Sequence, residues 1–337
     1  MIKKSSFFIL IFVFICAFLS SNSSAQAFSF YHGRAFALGG AYTGLVDDYS
    51  AILYNPAALG LYDETGLGFG STLGGRSANL IGVISNIREV IDDPLKIINN
   101  DWDSVAMEYG HLTGLRFGPV GAGISFHGKG TLVDSELQVN NYLAYNLAFA
   151  YRIVEPFADI GALAVGINAR YVEGVSYRYW VEQDSGGTGE ESTILGSGLG
   201  ADLGIIIKLT DIINIGARIE NAIKPFSSSS NHYHKGLERI YTVGAGIKLP
   251  LVGLTATTDI STIPHSSGTA FRGGVEQRLF FGLLALRAGL AQEGADQRLY
   301  TGGIGLNFGP IQADLALGFE EGAWREPSAV MGLSASF

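Results

Sequence analysis

Few side chains in this sequence stand where they could make or break a covalent bond. Asp47 and Asp48 are adjacent carboxylates, but general acid–base work needs a nucleophile or histidine within reach, and none accompanies them at a fixed spacing. They read as hydrogen-bonding groups. His232-Tyr233-His234 lies in a serine-rich loop with no third ligand in evidence, so no metal is expected there. Gly66-Leu67-Gly68-Phe69-Gly70 has a Gly-x-Gly form, yet no Lys-Ser or Lys-Thr follows it, which argues against a phosphate loop. Cys16 is the only cysteine. The reading is of a non-enzyme without a cofactor. What remains is a set of charges spaced among small residues: Arg152, Arg170, Asp202, Arg218, Asp259, Arg272, Glu276, Arg287 and Asp314. These either brace one another as ion pairs or line a polar path for a charged solute. Both readings demand close opposite partners, because a buried charge must be paired or wetted.

The elements that would hold those charges are strands. From Asn141 onward apolar residues alternate with small or polar ones. Leu143, Tyr145, Leu147, Phe149, Tyr151 and Ile153 oppose Tyr142, Ala144, Asn146, Ala148, Ala150 and Arg152. The pattern recurs at 163–171, 195–207, 237–249, 252–260, 284–290, 300–308, 311–319 and 330–337. These runs are roughly 10–13 residues, against about 5–6 for ordinary strands and about 9–11 for a tilted membrane strand. Their second face is Gly, Ala, Asn and single charges, which suits a lumen better than a solvated surface. Long links (183–192, 221–236, 262–268, 293–297, 320–326) alternate with short ones (172–174, 209–211, 250–251, 278–281, 309–310), as outer loops alternate with periplasmic turns in outer-membrane barrels. Tyr177, Tyr179, Trp180, Phe280 and Phe281 stand near strand ends as interface anchors. Toward the N-terminus, 65–74, 78–85, 112–119 and 121–128 read as shorter strands and 87–109 as a helix broken at Pro94. All candidates together give up to 16 strands; 14 is the expected number, within a range of 12–16.

The two ends point to export. Lys3 and Lys4, an apolar run from Phe7 to Leu19 and Ala25-Gln26-Ala27 form a leader with a cleavage pattern, assigned to 1–27. Its loss takes the formal charge from −9 to −11 as two lysines leave, which argues against a nucleic-acid partner. Charged residues are 16% and Gly 46 of 337, where soluble domains carry about 25% charge.

Residues 35–60, AFALGGAYTGLVDDYSAILYNPAALG, do not alternate. Pro56 and the glycines would interrupt a membrane strand, and Asp47-Asp48 would sit badly against lipid. Tyr42 to Leu53 reads as a short helical turn. Irregular backbone is tolerated at membrane depth only where it is buried in protein or lines a wet cavity, so this segment belongs inside the barrel.

The run Leu38-Gly39-Gly40-Ala41, then Val46-Asp47-Asp48, then Tyr54-Asn55-Pro56-Ala57-Ala58-Leu59 resembles the N-terminal hatch of the FadL superfamily of outer-membrane fatty acid and hydrocarbon transporters. PorV-type barrels of the type IX secretion system and TraF-like barrels share this opening. The resemblance implies an all-β, transmembrane antiparallel barrel (65–337) with an N-terminal plug or hatch (28–64) in the lumen. It also implies passive passage of small hydrophobic molecules or lipids, leaving sideways through the wall, with Gly39, Gly40, Asp47, Asp48, Asn55, Pro56 and Ala57 as hatch or gating positions. The partners it implies are outer-membrane lipid and, through the terminal strand ending in Phe337, the barrel-assembly machinery. An alternative within the same resemblance is a non-transporting anchor or shuttle of a secretion or assembly system. The chain is shorter than the fatty acid transporters, which leaves long-chain fatty acid less favoured as the substrate.

Overall fold

The computed structural model describes residues 32–76, 104–133, 136–153, 161–181, 188–225, 237–263, 269–294, 297–322 and 327–337. Its strands are β1 Thr65–Arg76, β2 Ser104–Phe117, β3 Val120–Val133, β4 Glu136–Ile153, β5 Ala162–Val181, β6 Thr188–Lys208 and β7 Ile213–Ile223. They continue as β8 Ile240–Leu249, β9 Leu254–Thr262, β10 Thr269–Leu279, β11 Leu284–Glu293, β12 Gln297–Phe308, β13 Ile311–Glu320 and β14 Ser328–Ser336. Each strand pairs with its sequence neighbours, and β1 pairs with β14, so the 14 strands close into one antiparallel barrel. The seam runs from Gly66 opposite Ser336 to Leu73 opposite Ala329. At its end the Phe337 N–H donates to the Thr65 carbonyl at 2.7 Å and the Thr65 N–H returns the bond at 3.2 Å. Closure leaves no sheet edge at the seam, so the first and last strands satisfy each other's backbone groups.

The sequence alternation becomes an inner and an outer face, since successive strand side chains point opposite ways. Ala148, Ala150, Ala164, Asn168 and Arg170 are buried on the inner face. The outer face shows large apolar groups: Leu115 is 59% exposed, Leu147 61%, Phe149 52%, Leu199 72% and Met331 59%. Among the described residues no helix is long and apolar enough to cross a membrane.

Four expectations are corrected. The supposed turn at 172–174 is strand: β5 runs through it for 20 residues, with a register shift against β6 at Gly174/Val175. Glu173 faces outward and is exposed. Its charge does not end the strand, because ladder pairing continues to Val181. Tyr177, Tyr179 and Trp180 stand near the end of β5, as expected. The expected link 183–192 is likewise shortened, since β6 starts at Thr188. Residues 104–109, read as the end of a helix, pair as strand with β3, and 106–109 pair with β1 as well; cross-strand partners override a local 3.6-residue pattern. Finally, the helical turn expected over 42–53 is confined to α2, Ala51–Tyr54, and a separate α1 spans Gly33–Ala37. Tyr42 to Val46 makes one turn, closed by the Val46 N–H donating to the Tyr42 carbonyl at 2.9 Å. The leader, the 78–85 strand, the 87–103 helix and the His232–His234 loop lie outside the described residues.

Candidate functional site

Residues 32–62 form α1, α2 and a 3-10 turn at Pro56–Gly60. Almost all are buried, and Leu38, Tyr42, Leu45, Val46, Ile52, Ala57, Ala58 and Leu59 form one apolar cluster with Ala148, Ala150, Ala164 and Ile206 of the strands. Their contacts reach inward-facing residues from β1 round to β13. Strand glycines make the room. A side chain on Gly274 would meet the Leu38 backbone at 2.6 Å, and one on Gly121 would meet Ile52 at 2.7 Å. Gly39 and Gly40 take φ of +68° and +80°, left-handed values that other residues adopt at a cost. Gly39 has no room for a side chain either: a Cβ there would lie 2.6 Å from the Leu290 carbonyl oxygen.

Asn55, Pro56 and Ala57 rest on three glycines from three adjacent strands, Gly166 of β5, Gly204 of β6 and Gly216 of β7. Asn55 is fully buried. Its Nδ2 donates to the Thr43 carbonyl at 3.0 Å and to the Ile205 carbonyl at 3.2 Å, while its Oδ1 accepts from the Ala57 N–H at 3.2 Å. One amide thus ties the start of the 3-10 turn, the Tyr42–Val46 turn and the β6 backbone. Replacing it with alanine strands two buried carbonyls and one N–H. Asn55→Ala is expected to weaken docking of the segment by about 2 kcal/mol, read as faster hydrogen exchange over residues 51–60 than in wild type.

Charges converge at the other end of the segment. Arg34 is buried, and its Nε donates to Glu276 Oε2 at 2.8 Å while its Nη1 donates to Asp47 Oδ1 at 2.8 Å. Glu276 also accepts from Arg287 at 2.7 Å and Arg278 at 3.0 Å, and Arg287 reaches Asp314 at 2.6 Å. Lys248 pairs with Asp47 at 2.7 Å. Arg116 donates to the Asp47 carbonyl at 2.9 Å and also to the Tyr62 carbonyl. Asp48 is held differently: it accepts from the Tyr42 hydroxyl at 2.7 Å and caps the Ser50 N–H at 2.8 Å. Asp259 accepts the N–H groups of Tyr42 at 3.0 Å and Thr43 at 2.9 Å.

The other charges read from the sequence fall nearby or apart. Arg170 pairs with Asp202 at 2.9 Å, Arg218 with Glu220 at 2.8 Å and Arg272 with Glu293 at 3.1 Å. Arg218 also donates to the Leu53 carbonyl. Arg152 is exposed at the end of β4, outside these pairs. Arg34, Tyr42, Arg116, Lys248 and Arg278 were missed by sequence reasoning. Strand parity would have found Arg116, which shares the inner face with Leu112 and Gly114, and Lys248, which shares it with Gly244 and Gly246. Arg34 had no such signal, because it lies on no strand.

The three arginine pairs surround a cavity of about 160 Å³, with Thr43, Leu53 and Tyr54 among its lining. Beside it the β6–β7 pairing is irregular. Among the described residues β6 pairs with β7 only over Ala201–Lys208, and the register jumps from Ala201 opposite Ile223 to Leu203 opposite Ile219. The bulge is pinned by Asp202 Oδ1, which accepts the Asn221 N–H at 2.8 Å, with Asn221 at φ 52°. The remainder of β6, from Thr188 to Gly200, takes its ladder partners from β5.

The crystal structure of the Ralstonia pickettii toluene transporter TbuX matches this barrel with a TM-score of 0.58 at 13% identity, over 91% of this chain and 98% of that one. The chain has the fold of a FadL-type barrel. The Pseudomonas putida toluene transporter TodX matches at TM-score 0.55 and 12% identity, over 94% and 98% of the two chains. A Pseudomonas aeruginosa FadL homologue matches at 0.56 and 10%, over 94% and 99%. No family model matches the sequence, and no curated protein does.

In this barrel the charge cluster sets a pH dependence. Burial raises the Asp47 carboxyl, but Arg34 and Lys248 outweigh it and hold it far below the ordinary carboxylate range. Because the folded value lies below the unfolded one, the stabilisation is whole above the ordinary range and is lost as pH falls through the folded value. Wild type and Asp47→Asn are therefore expected to differ most near neutrality and to converge in acid. Thermal unfolding of both proteins between pH 7 and pH 2 checks this; a constant difference across that span counts against it.

Proposed function

We propose that this chain is an outer-membrane transport barrel of FadL type that lets small molecules cross passively. Residues 1–27 are its export leader, 28–64 its hatch and 65–337 its barrel. The exposed apolar belt supports a lipid setting, since a contiguous surface of this kind in water marks an interaction site or an aggregation hazard, whereas in a bilayer it is what hydrocarbon wets. Phe337, which follows the closing strand and bonds back to Thr65, is the proposed contact for the assembly machinery. The ring of contacts from residues 32–62 to strands around the barrel supports a hatch that blocks bulk flow. Gly39, Gly40 and the Asn55-Pro56-Ala57 turn seat it, and Asp47, Asp48 and the lumen charges lock it.

The observation that carries the transport reading is the β6–β7 bulge beside the cavity. Bulges are over-represented at barrel rims and next to functional sites, where they end or re-aim strand pairing. We read this one as the sideways exit, reached from the cavity when the hatch shifts. The test is uptake of a hydrophobic fluorescent probe into vesicles carrying the full-length protein. Uptake several-fold faster than into empty vesicles is expected, with Asn55→Ala altered relative to wild type. Equal rates in loaded and empty vesicles reject transport.

A further inference from the structure

The cavity beside the β6–β7 bulge has charged and hydroxyl groups in its lining, although the fold it sits in is shared with hydrocarbon transporters. At about 160 Å³ it matches one ring, since a cavity of about 150 Å³ takes one benzene. Its charged lining comprises Arg170, Arg218 and Arg272 against Asp202, Glu220, Asp259 and Glu293. Each arginine already faces a carboxylate within 3.1 Å, so no excess of positive charge is left for an anion. Hydroxyl groups complete the polar wall: Thr242 and Ser261 are hydrogen-bonded at 2.9 Å, and Ser125 stands across from them. Two aromatic side chains stand in the lining, His127 and Tyr142, with ring centroids 6.5 Å apart and planes 12° from parallel.

A bare hydrocarbon entering here displaces water from three ion pairs and returns no hydrogen bond, which is unfavourable. A charged solute meets arginines that are already paired and carboxylates that already hold an arginine or, for Asp259, the Tyr42 and Thr43 N–H groups. A neutral ring bearing a hydroxyl group meets both needs: the ring lies beside His127 and Tyr142 and its hydroxyl supplies a hydrogen bond. Resting on the transport reading above, we propose that this cavity is a binding chamber for small neutral hydroxylated aromatics, the phenol class. The hydroxyl sets the preference, because a site built to hydrogen-bond a substituent discriminates against the analogue lacking it.

The test uses the full-length protein in detergent micelles and saturation-transfer NMR with phenol, toluene and benzoate as probes. Ala144→Phe fills the chamber from β4 without changing charge, and Thr242→Val, nearly isosteric, removes one hydroxyl should the larger replacement impair folding. Folding of both is checked by heat-modifiable gel mobility. Phenol is expected to bind wild type and to bind each variant about tenfold more weakly, while toluene shows only micelle background that neither variant changes. Variant-sensitive toluene binding as tight as phenol binding, tighter benzoate binding, or no variant-sensitive binding at all overturns the proposal. Vesicle uptake of the hydrophobic probe, run in parallel, separates the two readings. Uptake retained without phenol binding removes only the chamber's preference, and uptake absent in wild type removes transport itself.

Discussion

Arg34→Ala is expected to release the N-terminal segment and open the barrel to polar solutes. Arg34 joins a strand carboxylate, Glu276, to a segment carboxylate, Asp47, at 2.8 Å each. Removing one partner of a buried pair costs about 3–5 kcal/mol. Here the lower figure applies, because Glu276 keeps Arg287 and Arg278 and Asp47 keeps Lys248. About 3 kcal/mol is roughly a hundredfold in the ratio of docked to released segment. Lysine cannot form the same fork to two carboxylates, so Arg34→Lys falls between wild type and alanine. Conductance in planar bilayers and sensitivity of expressing cells to a large hydrophilic antibiotic both report the opening. Conductance unchanged in Arg34→Ala would remove the locking role assigned to this residue.

The second large effect is steric. A Cβ on Gly166 would lie 2.7 Å from the Ala57 Cα and closer still to the Pro56 carbonyl carbon and the Ala57 nitrogen. Those are backbone atoms of a turn already fixed by Asn55, and they cannot swing aside as a side chain would. Gly166→Val is expected to cost about 3 kcal/mol, the upper end for overpacking, by lifting the Asn55-Pro56-Ala57 turn off β5 and β6. Gly302→Val is the control, because the nearest atom to its Cβ is the Arg287 carbonyl oxygen at 3.7 Å. In an Ala57→Cys background, labelling by a water-soluble thiol reagent is expected to rise by an order of magnitude or more with Gly166→Val and to stay at background with Gly302→Val. Equal labelling in the two would mean that the glycine platform does not hold the turn.

The two predictions separate what could be read along the chain from what could not. Strands β4 to β14 were legible because lipid-facing and inward-facing residues must alternate, and Leu147 beside Ala148 or Leu315 beside Ala316 keep that rhythm without help from distant parts. Strand ends were less legible. Ladder hydrogen bonding runs through residues 172–174, which were read as a short link, and β5 continues to Val181.

By itself, then, the sequence determined the alternating strand class, the expected number of strands, 14, an inner face of small residues and isolated charges, and a non-alternating segment unsuited to lipid. Only the tertiary structure decided which charges meet. Arg34 and Glu276 are separated by 242 positions, and their meeting depends on barrel closure and strand stagger. The glycines behave likewise: Gly166, Gly204 and Gly216 look alike along the chain, and become a platform because β5, β6 and β7 lie side by side. Alternation is a local property fixed by backbone geometry, while partner choice depends on how fourteen strands register against one another, which no single stretch of residues encodes.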